Sequence, residues 1–128
     1  MAGTVKIISL NCRGLRDSYK RKDMFDYLHS KNYSIYCLQD THFTEDDENI
    51  IRSEWGHDCY ISPGRSNARG VAVLFNNNFE YKVLKKKQDT EGNYIILNVE
   101  IEKKFVLTLV NIYGPNSDDP EFYEDILY

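Results

Sequence analysis

Thr4-Val5-Lys6-Ile7-Ile8-Ser9-Leu10-Asn11 and Ser34-Ile35-Tyr36-Cys37-Leu38-Gln39-Asp40 are short and mainly apolar, the signature of buried strands. Between them, Ser18 to Lys31 has a helical pattern. Met24, Phe25, Tyr27 and Leu28 form its apolar stripe, and Lys20, Arg21, Lys22 and Asp23 are expected on the solvent side. Strand, helix, strand is a β-α-β unit, so the two strands are expected to be parallel. Thr44 followed by Glu45-Asp46-Asp47-Glu48 reads as a capped helix start, and Gly56 closes that helix after Trp55. Trp55 itself is expected in the core.

Beyond Gly56 the pattern changes to strands: His57 to Ser62, Gly70 to Phe75, Tyr81 to Lys87, Asn93 to Ile101 and Lys104 to Ile112. Their links are short and turn-rich, so successive strands are expected to pair antiparallel. Ile7, Ile8, Leu10, Ile35, Cys37, Leu38, Val71, Val73, Leu107, Leu109 and Val110 are the expected core. Asp118-Asp119-Pro120-Glu121 opens a last helix, with Phe122, Tyr123, Ile126 and Leu127 on its apolar face. The pattern stops at Tyr128, as a fragment or an interrupted frame would.

At 128 residues, with 41% hydrophobic and 28% charged residues, the chain 1–128 reads as one small folded domain. A net charge of -4 disfavours a protein that coats nucleic acid by charge alone. It leaves room for an enzyme that keeps carboxylates for a metal. Cys12, Cys37 and Cys59 are odd in number and lack a C-x-x-C pair, against a disulfide framework or zinc ribbon. Buried thiols in a reducing compartment follow, so an intracellular location is expected. No apolar run reaches the length of a membrane span. Lys85-Lys86-Lys87 reads first as a solvated strand end, with phosphate contact or a nuclear signal as the alternative.

Three polar loops follow the carboxyl ends of strands: Asn11-Cys12-Arg13-Gly14-Leu15, Gln39-Asp40-Thr41-His42 and Asn111-Ile112-Tyr113-Gly114-Pro115-Asn116. Such ends are where α/β folds place their sites. Asp40 offers the hard oxygen that Mg²⁺ prefers, Asn11 an amide, and Tyr113 a hydroxyl beside a Gly-Pro turn. Taken singly, Asn11 also suits a turn start, Asp40 a turn cap and Tyr113 a strand-end aromatic. The combination singles them out.

Together with Arg69-Gly70-Val71-Ala72-Val73-Leu74-Phe75, these loops occur in an order and at spacings that resemble the endonuclease/exonuclease/phosphatase superfamily. Within it they are most similar to the endonuclease domain of LINE-type (non-LTR) retrotransposons, related to exodeoxyribonuclease III and apurinic/apyrimidinic endonucleases. The resemblance implies a DNase I-like fold, an α/β sandwich of two β-sheets flanked by helices, here truncated to its N-terminal part. It also implies Mg²⁺-dependent hydrolysis of a DNA phosphodiester, with Mn²⁺ as a substitute metal, and a nuclear setting. On this resemblance Asp40 stands where the family has a metal-binding Glu. Asn11 helps hold metal and phosphate, and Tyr113 hydrogen-bonds the reacting phosphate or a group near it. Arg65, Arg69 and Asn116 are weaker candidates for DNA or phosphate contact. The family's later Gly-Asp-Phe-Asn-like and Ser-Asp-His-like motifs have no counterpart in this sequence. The chain alone is therefore expected to be inactive and to self-associate through an uncovered sheet or its last helix. A phosphoesterase of the same superfamily and a non-enzymatic fragment that binds nucleic acid or protein are the alternatives.

Overall fold

The structure is a computed structural model and describes residues 5–65 and 68–114. β1 (Ile7–Asn11), α1 (Ser18–Lys31) and β2 (Ile35–Gln39) form the expected β-α-β unit. β1 and β2 are parallel, with Ile7 opposite Ile35 and Asn11 opposite Gln39. Asp17 starts α1 by accepting the N–H groups of Tyr19 and Lys20 at 2.9 Å. Asn32, in the left-handed region, ends it.

One face of α1 differs from expectation. Its buried residues are Arg21, Phe25 and Leu28, whereas Tyr27 is exposed. Arg21 recurs with Phe25 and Leu28 at helical spacing, so geometry draws it inward despite its charge. The guanidinium ion-pairs with Glu54 and donates to the carbonyls of Leu15 and Arg16. A buried charge that is ion-paired, with an acceptor for each of its three guanidinium nitrogens, is tolerable.

A turn of 3-10 helix, Glu45–Asp47, leads into α2 (Glu48–Trp55), which Gly56 closes. Trp55 is buried, donates its Nε1–H to the Phe75 carbonyl at 2.9 Å and stacks on His29. β3 (Cys59–Ser62) and β4 (Val71–Phe75) complete a four-stranded sheet of order β1-β2-β4-β3. β5 (Tyr81–Gln88), β6 (Tyr94–Ile101) and β7 (Phe105–Ile112) form a second, antiparallel sheet. β3–β4, β5–β6 and β6–β7 pair as expected, but β4 and β5 do not. Both edges of β4 are already taken, by β2 and β3, so the chain must cross to the other sheet.

Two cores result. Leu15, Phe25, Leu28, Tyr36, Leu38, Phe43, Ile51 and Trp55 pack between the helices and the first sheet. Ile35, Cys37, Val71, Val73, Phe75, Ile95, Leu97, Val99 and Leu109 pack between the sheets. Every residue of β4 is buried, because it lies centrally with a core on each face. Among the expected core residues, Ile8, Leu10 and Leu107 are half-buried, while Ile7 and Val110 are 45% and 42% exposed. Ile7 sits on an edge strand at the open seam of the sandwich. Val110 lies opposite Ile96 on the outer face of the second sheet, since its neighbours Leu109 and Asn111 point inward. The expected helix from Asp118 to Tyr128 lies outside the described residues. No helix among the described residues is long and apolar enough to cross a membrane.

Candidate active site

Parallel pairing of β1 and β2 puts Asn11 opposite Gln39, so the loops after both strands emerge side by side. The pairing continues beyond the strands. Cys12, Gly14 and Leu15 donate their N–H groups to the carbonyls of Gln39, Asp40 and Thr41 at 2.7–2.8 Å. On the other flank, Thr41 and His42 donate to the carbonyls of Gly70 and Arg69. Asp40 is thus carried on a backbone held from both sides. Its φ of 56° and the 63° of His42 are left-handed, a region where Asp and His are among the better tolerated side chains. Gly70 has to be glycine: at φ 94° it strains any side chain, and a Cβ there would lie 2.5 Å from Thr41 Oγ1.

β7 reaches this end from the other sheet. Asn111 is buried and donates Nδ2–H to the carbonyls of Leu38 and Ala72 at 3.2 and 2.9 Å. Its Oδ1 accepts from Gln39 Nε2 at 2.8 Å, and Gln39 Nε2 also lies 2.9 Å from Ser9 Oγ. This tie joins β1, β2, β4 and β7 across both sheets. It brings the carboxyl end of β7 over those of β1 and β2, so Asn11, Asp40 and Tyr113 share one end of the sandwich. Tyr113 is half-buried, with its N–H bonded to the Asn93 carbonyl at 2.8 Å. Asn11 is exposed, and its Oδ1 accepts the Arg13 N–H at 3.2 Å.

The Asp40 carboxylate is about one-fifth exposed, and its Oδ1 lies 2.9 Å from His42 Nε2. No described residue donates to its other oxygen. Lys20 bonds the Cys12 and Arg13 carbonyls at 3.1 and 3.2 Å, adding a cation beside the loop. Arg65 is exposed on the β3–β4 loop, whereas Arg69 lies 3.8 Å from Glu91 and is partly neutralised. Asn116 lies outside the described residues. Lys85, Lys86 and Lys87 are exposed on β5, with Lys86 and Lys87 each 5.9 Å from the ring centres of Tyr60 and Tyr94.

Cys12 adjoins the site, and burial pushes its thiol up to about 12. Among the described residues, no three His, Cys, Asp or Glu side chains cluster as a metal site. A hard cation would find the second Asp40 carboxylate oxygen and the neutral side-chain oxygen of Asn11 at this end of the sheet. That meagre set fits Mg²⁺, which keeps several waters and is commonly held by one or two carboxylates plus substrate phosphates.

Gln39, His42 and Asn111 escaped the sequence reading of the site. Each stands within one of the motifs, but only distances distinguish an inter-sheet clamp from a strand-end amide.

Known proteins are similar to this chain in sequence and in fold. An exodeoxyribonuclease of Bacillus subtilis is 31% identical over 116 residues, 88% of this chain and 44% of that protein. An uncharacterized 149 kDa protein of transposon TX1 from Xenopus laevis is 27% identical over 124 residues, 95% of this chain and 9% of that protein. Among solved structures, an AP endonuclease from Leishmania major superposes with a TM-score of 0.69 at 18% identity, over 94% of this chain and 43% of that one. The chain therefore spans less than half the length of these three relatives. The characteristic pattern of the Endonuclease/Exonuclease/phosphatase family is matched over residues 8–127. With both sheets and the motif-bearing loops accounted for along nearly its whole length, this chain belongs to the endonuclease/exonuclease/phosphatase family.

Proposed function

We propose that the chain carries the metal- and phosphate-binding side of a DNA phosphodiesterase site, in an endonuclease-like domain of retrotransposon origin. The observation that carries the reading is the Ser9–Gln39–Asn111 tie, which brings three polar strand ends together. The likeness to a transposon protein and an exodeoxyribonuclease supports the origin and the substrate class. In this reading the free oxygen of Asp40 and the side-chain oxygen of Asn11 hold Mg²⁺, or Mn²⁺ in its place. The metal, when bound, neutralises charge that develops on the phosphoryl oxygens. Asn11 also reaches the phosphate. The Tyr113 hydroxyl donates to a phosphate oxygen, and such a donor contributes most when fixed beforehand. Arg65 and Asn116 supply weaker contacts to the DNA backbone.

The reading also predicts that this chain alone does not turn over. His42 is engaged with Asp40, and His57 neighbours Tyr81 at the other end of the sheet. Neither occupies the role of the Asp-His pair that acts on the attacking water in the family. Removing one member of a cooperative set can cost nearly as much as removing all of them.

Two measurements test the proposal. Fluorescence anisotropy of a labelled DNA duplex with Mg²⁺ should show binding that Asn11→Ala and Tyr113→Phe each weaken. Unchanged binding in both variants would remove these residues from the site. Nicking of supercoiled plasmid should be no faster than with an Asp40→Ala, Tyr113→Phe control. Clear excess over that control would show that this chain suffices for turnover.

A further inference from the structure

We propose that His42 is a positioning residue for the Asp40 carboxylate, with Gly14 as the seat that admits its ring. The inference rests on Asp40 being the metal ligand proposed above. His42 Nε2 lies 2.9 Å from Asp40 Oδ1, and the two side chains are 20% and 22% exposed. An ionised carboxylate only accepts hydrogen bonds, so in this contact the proton between the two groups sits on Nε2. The ring lies directly over Gly14. A Cβ there would stand 2.7 Å from His42 Nδ1 and 3.1 Å from Cε1, and the Gly14 φ of 90° further disfavours a side chain.

This contact is more than a loop staple, because the backbone beneath it is held independently. Thr41 and His42 donate N–H groups to the β3–β4 loop, while Gly14 and Leu15 donate theirs to Asp40 and Thr41. Removing the imidazole leaves those bonds intact. What it removes is the restraint on the carboxylate. With Oδ1 held, Asp40 presents one oxygen in a fixed direction. An unrestrained Asp would have to give up rotamer freedom on binding and would divide its time between orientations. Outer partners that orient a ligand in this way are typically worth 10–100-fold in metal affinity.

The test is Mn²⁺ titration calorimetry on the full chain and its variants. His42→Leu should weaken binding by about 10–100-fold. His42→Gln, whose amide N–H reaches the same place as Nε2–H, should restore most of it. Asp40→Ala should abolish binding. If Asp40→Ala abolishes binding but His42→Leu matches the wild type, the positioning role is wrong and Asp40 remains a ligand. If Asp40→Ala binds like the wild type, or the wild type binds no Mn²⁺, the ligand assignment and this inference both fail. A readout on the unaltered chain guards against a variant that does not fold. Nitrogen NMR of the neutral His42 ring should show the Nε2–H tautomer without metal. The Nδ1–H tautomer would overturn the proposal.

Discussion

At the scale of single residues, Asn111 is the member whose loss should be felt most. It makes two bonds to buried carbonyls and accepts one from Gln39. Asn111→Leu keeps the volume but removes all three bonds. The expected cost is about 0.5–1.5 kcal/mol per bond lost, read by urea denaturation. A change below about 0.5 kcal/mol, usual for surface sites, would mean the amide is not the clamp described. The thiols give a second check at this scale. Burial raises all three, Cys12 and Cys37 to about 12, so none is a thiolate near neutrality. A thiol-specific reagent at pH 8 should label the chain only after denaturation; rapid labelling of one thiol in the native state would contradict that burial. The sequence already showed Asn11, Asp40 and Tyr113 as polar strand ends. It gave no sign that Asp40 leans on His42, or that Asn111 holds the sheets together, because both facts depend on which strand ends meet.

Elements were more legible than their contacts. α1 spans the expected residues because Asp17 and Asn32 punctuate it locally, and local signals survive without tertiary knowledge. The inward turn of Arg21 was hidden, since its partner Glu54 is on a helix met 33 residues later. The exposure of Ile7 and Val110 was hidden too, because an apolar run tells neither an edge strand from a central one nor the inner face of a sheet from its outer face. Two predictions belong here. Leu97, fully buried on β6 between the sheets, should cost about 2–5 kcal/mol when replaced by Ala; a negligible loss would mean the second sheet is not packed on the first. At the start of the short helical turn, the Asp47 carboxylate accepts the N–H and hydroxyl of Thr44 at 2.9 and 3.0 Å and pairs with Arg16. Burial alone would raise its pKa, but these bonds and the Arg16 charge hold it below the usual carboxylate range. The linked stability is therefore fully present above the unfolded value of about 3.9, and is lost as pH falls through the lower folded value. Asp47→Asn should flatten that part of the acid-denaturation curve, and an unaltered curve would contradict the linkage.

Seen whole, the molecule treats its sheet edges unequally. β3 is protected: Arg52 donates to the Cys59 carbonyl and Gln88 to that of Ile61. β5 carries Lys82, Lys85, Lys86 and Lys87 and a register shift at Val83 and Lys85. Lysines and bulges are the usual defences of an edge. Among the described residues β1 and β7 have neither: Ile7–Asn11 and Phe105–Ile112 contain no charged residue. Ile7, Phe105, Val106 and Val110 are exposed along them. We predict that the chain self-associates through these edges, giving a light-scattering mass above that of one chain. Val106→Lys with Val110→Lys should return it to a single chain, and a monomeric wild type would refute the prediction. The central claim, that the strand ends around Asp40 are a metal and phosphate site, is tested most directly by Mn²⁺ broadening of amide NMR signals. Substoichiometric Mn²⁺ should first erase the signals of Asn11, Asp40, Thr41 and His42. Broadening centred instead on the Glu45-Asp46-Asp47-Glu48 run, or spread evenly over the acidic surface, would contradict it.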